Sequence, residues 1–343
     1  MKTFFTLTFL LGWISLAMAN LPLEEVYNAT KTFNKTDTVK IEGDFCKIIL
    51  QPSTDNAITV STVIKSSAAV EGFGLSDQQE NNTLNLSIVV PDKHVSTKSG
   101  EMIVSLPTES KVWVKTGSGY IQPQNLQNCT LNASASYGKI IAENVSGNFN
   151  LKTLTGAISV NALKGQLAVN TKSGPIEITN IDGEVTAITD KGDITVENVK
   201  GKISVQTNTA AQNLSNINGE LNLRTSTGLL TLKNLEGKLQ TNNDDGDVWI
   251  ENLKGYMDLK SLSGKLIGKA IELTKSSSFE TTKGRIEMEL KNDLKELTFE
   301  LESNYGFLYI PGKAKKKKLT SGKGPIVITG FTNSGPQRFT LAQ

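Results

Sequence analysis

The stretch Gly165-Gln166-Leu167-Ala168-Val169-Asn170-Thr171-Lys172-Ser173-Gly174-Pro175-Ile176-Glu177-Ile178-Thr179-Asn180-Ile181-Asp182-Gly183 returns to its opening residue after 18 positions. The same interval separates Gly147, Gly165, Gly183, Gly201, Gly219, Gly237 and Gly255. A second series, Gly156, Gly174, Gly192, Gly228, Gly246 and Gly264, falls midway and is broken only by Ala210. A fixed period of this length marks a solenoid, in which each repeat stacks on the last because it cannot bury its apolar face alone.

Within each unit the apolar residues alternate. Leu167 and Val169, two and four places after the first glycine, correspond to Val185 and Ala187, Ile203 and Val205, Leu221 and Leu223; Ile176 and Ile178 repeat as Ile194 and Val196, and as Leu230 and Leu232. Residues i and i+2 on one side are β alternation, not a helical stripe. Each unit therefore reads as two short strands joined by two turns, Asn-apolar-x-Gly and Thr-x-Ser/Thr-Gly, with glycine where a bend needs positive φ. Stacking at an 18-residue offset gives parallel sheets with apolar residues inward, and chirality favours a right-handed wind. A left-handed hexapeptide helix also has 18 residues per coil, but its apolar position recurs every six; here the intervals from Val145 to Leu154 run 4, 2, 3. The fold class is all-β, a right-handed parallel β-solenoid (β-helix) with 18-residue rungs and a β-rich N-terminal cap.

One column stays polar. Asn144, Asn180, Asn198, Asn216, Asn234 and Asn252 stand three before the first glycine, with Ala162 the exception. Stacked asparagines bond to one another and to turn backbone, so these read as a structural ladder.

Outward from the repeat, residues 1–19 have the form of a signal peptide: Lys2, an apolar run, then Ala17-Met18-Ala19 before Asn20. No later run is long and apolar enough for a membrane helix, so an exported chain is expected, periplasmic, on the cell surface or extracellular, with no integral membrane segment after cleavage. With 38% apolar residues and a formal net charge of +2, it suits an ordinary folded protein and makes nucleic acid a poor partner. Cys46 and Cys129 are the two cysteines; export permits a disulfide, but pairing is not readable from sequence.

Residues 20–115 do not follow the ruler, although strands are expected at 39–42, 46–50, 58–64, 84–90 and 102–106, with loops at 72–82 and 91–100. This is the cap that protects the open end of a stack. The solenoid is placed at 116–330, since Gly119, Gly138, Gly284, Gly306 and Gly324 extend the pattern to about twelve rungs, roughly 50–60 Å of stack at about 4.8 Å each. Insertions at 273–282 and 293–300 are expected to loop out, and 331–343 to close the end.

The run Ile103-Val104-Ser105-Leu106-Pro107, then Val112-Trp113-Val114-Lys115-Thr116-Gly117-Ser118-Gly119-Tyr120-Ile121, with the recurring Thr171-Lys172-Ser173-Gly174-Pro175-Ile176-Glu177-Ile178 type of rung, resembles a bacterial family of adhesin domain-containing repeat proteins. The likeness covers about residues 100–330 and implies the β-solenoid. It brings no catalytic motif and no cofactor.

An enzyme on this scaffold has little to work with. The one histidine, His94, lies in a polar loop, which leaves no partner set for a serine or cysteine triad or a histidine metal site. Asp244, Asp245 and Asp247 cluster around Gly246, and Asp190 and Asp193 occupy matching columns three rungs earlier, roughly 14 Å away by strand spacing. That is too wide for a glycosidase pair, which needs about 5–9.5 Å, and Asp with Gly is ordinary turn chemistry. Calcium rolls carry an aspartate in every repeat, and these turns do not. No metal site is assigned.

The outward columns, such as Gln166/Ala168, Glu184/Thr186 and Lys202/Ser204, are small, polar and mixed in charge. Against them Trp249 stands out, with Tyr256 opening the next half-rung; exposed aromatics stack on sugars or anchor protein partners. The plainer reading is that a C-terminal loop covers Trp249. The run from Lys313 to Lys318 is read as a solvated loop, with contact to an anionic surface as the alternative. The resulting expectation is a non-enzymatic, exported, adhesin-like surface or envelope binding protein for a glycan or protein, with Trp249 and Tyr256 as candidate contacts. An envelope-stress or structural component that binds another envelope protein is the first alternative, and a polysaccharide-active β-helix enzyme the second.

Overall fold

Alternating burial carries through every rung: in Ile176–Thr189 the side chains of Ile176, Ile178, Ile181, Val185, Ala187 and Thr189 turn inward and are buried, and those between them face out. A computed structural model describes residues 23–92 and 97–342. The signal peptide expected at residues 1–19 and His94 lie outside the described residues. The chain forms a parallel β-solenoid of about ten turns, stacked in chain order through its middle, with one continuous apolar core from Val39 to Phe339.

The repeat unit is a single ribbon, not two separate strands. Ile158–Thr171, Ile176–Thr189, Ile194–Thr207 and Gln212–Thr225 pair in parallel with an 18-residue offset. The Asn-apolar-x-Gly segment is a corner inside each ribbon, and the ladder skips only its first residue. At that residue Asn180 has φ 59° and Asn198 φ 56°, the left-handed region that asparagine tolerates better than other side chains. The glycine three places on is positive too, Gly183 at φ 152°, and a Cβ there would collide with the carbonyl oxygen of Gly165 one rung below. The second turn separates the ribbons. Its buried threonine accepts from the glycine amide, as Thr171 Oγ1 does from Gly174 at 3.0 Å and Thr189 Oγ1 from Gly192 at 3.1 Å.

Both ends depart from chain order. At the C-terminal end Ser277–Thr281 and Ile286–Leu290 are followed in the stack by Ile326–Thr332 and Gln337–Leu341, and only then by Leu297–Ile310. The closing segment expected at 331–343 thus lies one rung inside the end, and the turn column passes from Gly284 to Gly335 to Gly306, without Gly324. The end is sealed by Lys313–Gly322, antiparallel to Leu297–Ile310, so the expected lysine loop is a strand. The insertions expected to loop out hold the strand Ser277–Thr281 and the 3-10 turn Leu294–Glu296.

The cause lies in the connection. Ile310 pairs with Lys313 across Pro311-Gly312, a two-residue hairpin loop that commits the segment after the outermost rung to antiparallel closure. The last segment of the chain is left with the slot beneath. The N-terminal end uses the same order. Thr38–Glu42 and Lys47–Pro52 sit between Lys111–Thr116 with Ile121–Pro123 on one side and Thr83–Val89 with Lys98–Leu106 on the other. Antiparallel strands then cover that end: Gly74–Glu80, within a region expected to loop, lies on Thr83–Val89, Ile58–Ser66 lies on Lys98–Leu106, and Glu24–Phe33 lies on Ile58–Ser66.

Candidate binding surface

The side chains that leave the ribbon just before each Thr-x-x-Gly turn line up along the stack. Lys40, Trp113, Asn132, Asn150, Ala168, Thr186, Ser204, Asn222, Gln240 and Asp258 are successive register partners on one wall. From Asn132 to Gln240 this middle column holds amides and hydroxyls apart from Ala168, and Asp258 follows. One flanking column is taller, with Gln166, Glu184, Lys202, Glu220 and Lys238, and in the other the longer Lys152, Ile188, Gln206 and Arg224 are interspersed with Asn170 and Asn242. Short side chains between long ones make a trough.

Four hollows mark its course. One of about 330 Å³ lies between Lys40, Trp113, Asn132 and Asn150. The next, about 320 Å³, shares Asn132 and Asn150 and reaches Glu184 and Thr186; a third, about 260 Å³, runs from Thr186 to Gln240. The last, about 690 Å³, extends from Asp258 past Ser278 to Thr329, Phe331 and Lys318. From Trp113 to Phe331 the trough crosses ten rung steps, roughly 48 Å at ~4.8 Å each. Trp113 is 54% exposed at one end and Phe331 40% exposed at the other. Sequence reading passed over Trp113, although its place between the inward Val112 and Val114 is the signal for an outward aromatic.

Trp249 and Tyr256 are not brought together. Trp249 is on the other wall, between Thr231 and Ile267 in register, and remains 47% exposed, so the C-terminal segment does not cover it. Tyr256 follows the corner Asn252–Gly255 on the rim of the trough, its ring 6.0 Å from Lys238 Nζ and 4.9 Å from Lys275 Nζ. Two cations on one ring favour an occupied, held position over a free one.

The aspartates are tied to the next rung. Asp193 Oδ1 accepts from the Ala211 amide at 3.0 Å, and Asp247 Oδ1 from the Lys265 amide at 2.8 Å, with Lys265 Nζ 3.4 Å from its other oxygen. Among the described residues no group of three or more His, Cys, Asp or Glu stands close enough to hold a metal, and no helix is long and apolar enough to cross a membrane. Cys46 and Cys129 are buried free thiols; burial pushes both up to about 12, and Cys129 Sγ donates to the Ser110 carbonyl at 3.2 Å.

The asparagine column forms a hydrogen-bonded ladder. Asn252 Nδ2 donates to Asn234 Oδ1 at 2.9 Å, Asn234 to Asn216 at 2.9 Å, Asn216 to Asn198 at 3.1 Å and Asn198 to Asn180 at 3.1 Å. Where Ala162 breaks the column, Asn180 donates instead to Asn161 Oδ1 at 2.8 Å. At the far end Lys291 Nζ donates to Asn252 Oδ1 at 3.1 Å.

This rung geometry coincides with a sequence family. The model of the Toastrack DUF4097 family matches residues 38–215 and again 201–335. The chain belongs to that family. The two Toastrack matches together take in the displaced N-terminal rung, the in-order stack and Ile326–Thr332, and stop short of Gln337–Leu341. No curated protein matches the chain. A crystal structure of a candidate cell adhesion protein from Clostridium sporogenes ATCC 15579 aligns with 93% of this chain and 100% of its own, at 9% identity and a TM-score of 0.24.

Proposed function

We propose that this Toastrack protein is an exported, adhesin-like, non-enzymatic binder of the cell surface or envelope that lays an extended glycan along the trough. The row of amides and hydroxyls from Asn132 to Gln240, interrupted only by Ala168, carries the reading. Amides and hydroxyls both donate and accept, as do the hydroxyl groups of a sugar chain. Each rung of about 4.8 Å presents the same kind of polar group again, so an extended chain of repeating hydroxylated units can meet successive rungs. Trp113 offers a ring face for stacking at the entrance, whereas Tyr256, held between Lys238 and Lys275, contributes the edge of the rim. Trp249, on the other wall, is a separate and secondary contact. Affinity accumulates over rungs and not in one pocket.

The test is retention of fractionated envelope glycans and proteins on the immobilised exported chain. A glycan fraction should be held, and Trp113→Ala should weaken its retention by roughly tenfold, the value of one aromatic contact, with unchanged thermal unfolding. Retention of a discrete protein instead, indifferent to Trp113→Ala, would remove the glycan reading.

A further inference from the structure

The outermost strand, Lys313–Gly322, carries lysine at five of its first six positions, and all five are exposed. An unpaired edge at the end of a stack invites another chain, and charged side chains at inward positions are a standard block. Lys313 and Lys315 meet that need, since they pair with the inward Ile310 and Leu308. Lys316, Lys317 and Lys318 exceed it. Lys316 Nζ lies 4.6 Å from the centre of the Phe307 ring, Lys317 takes a left-handed φ of 67°, and Lys318 stands opposite Glu302. None of the three has an ion-pair partner among the described residues. The last two strands hold five lysines against Glu300 and Glu302, so 5 − 2 gives +3, while the whole chain has a formal charge of +2. The rest of the chain then sums to 2 − 3 = −1, close to neutral, so the tip carries a local excess of positive charge.

Aromatic side chains share the tip. Tyr305 is 79% exposed and Phe307 44% exposed, in the turn and strand next to the lysines. We propose that this end of the solenoid docks on an anionic lipid bilayer, with Lys316, Lys317 and Lys318 against the phosphate headgroups and Tyr305 and Phe307 in the interfacial layer. Basic charge alone would suit any polyanion. A lipid interface rewards the aromatic rings as well, because it offers an apolar layer directly beneath the charge. The tip adjoins the end of the trough, whose last hollow Lys318 also lines, but Lys316, Lys317, Tyr305 and Phe307 are outside that lining and the proposal stands whatever the trough binds.

The exported chain is sedimented with phosphatidylcholine vesicles, with and without phosphatidylglycerol, and in parallel titrated with inorganic polyphosphate. Binding is expected only to the phosphatidylglycerol vesicles and should weaken as salt rises. The triple variant Lys316→Ser, Lys317→Asn, Lys318→Ser should lose about a hundredfold in partitioning. The double variant Tyr305→Ser, Phe307→Ser, which leaves charge unchanged, should lose on the order of tenfold on vesicles and nothing on polyphosphate. Equal binding by the triple variant, absence of vesicle binding by the parent chain, or equal vesicle binding by the aromatic variant would overturn it. The aromatic pair keeps the test decisive if the triple variant fails to fold.

Discussion

Asn216 does two things at once. It holds a left-handed φ of 55° at the corner, and its amide links Asn198 below to Asn234 above. Replacing it with alanine should cost about 2 kcal/mol, divided between the strained backbone and the broken ladder. Asn216→Gly keeps the conformation and should cost about half as much, and urea unfolding of the two variants separates the terms. Ala162 and Ala270, at φ 58° and 56° in the same column, show that the corner survives without the side chain, so both variants should fold. The asparagine spacing made the column visible in sequence; the left-handed backbone behind it follows from the chemistry of asparagine at a tight corner. The trough was not legible, because depth depends on neighbouring columns of unequal length, and the register that sets them side by side is not contained in any one rung.

At the scale of the turn, hydroxyls are the rule and exceptions are expensive. Thr225 Oγ1 accepts from Gly228 at 3.0 Å and Ser261 Oγ from Gly264 at 2.8 Å, but the residue between them in the column, Asn243, is buried with neither amide atom bonded. Asn243→Thr should restore the bond to the Gly246 amide and remove two orphaned polar atoms, raising stability by about 1–2 kcal/mol in a denaturant titration. A lower midpoint would mean that the amide has a partner which threonine cannot replace. The same turn grammar explains what sequence reading missed at the C-terminal end. Thr332-Asn333-Ser334-Gly335 spells the turn, with Thr332 Oγ1 bonded to the Gly335 carbonyl at 2.7 Å, whereas Gly324-Pro325-Ile326 only mimics the glycine spacing. Strands of nearly identical pattern do not encode which of them are neighbours. That order came from the Pro311-Gly312 hairpin, a local signal that stands just ahead of the lysine run.

Over the whole molecule, stability is a sum of rungs and of the interfaces between them, and the two displaced rungs change how the sum fails. If the chain is ended after Gly322, Leu297–Ile310 loses the neighbours it has in Ile326–Thr332 and Gln337–Leu341 and keeps only its hairpin partner. Hydrogen exchange should then show protection falling by on the order of a hundredfold across both Leu297–Ile310 and the retained strand Lys313–Gly322, while Ile176–Thr189 is unchanged. Full protection of Leu297–Ile310 in that variant would show that it can dock directly on Ile286–Leu290 and that the stacking order is dispensable. The displaced rung also bears on tension. A stack whose final segment lay on the outside would peel from its end one hydrogen bond at a time under a pull. Here a pull on the C-terminus enters Gln337–Leu341, which is clasped by Ile286–Leu290 on one side and by Leu308 and Tyr309 on the other. The load would have to break two ladders together before any rung comes free, so unfolding from this end should need more force than peeling a single outer strand.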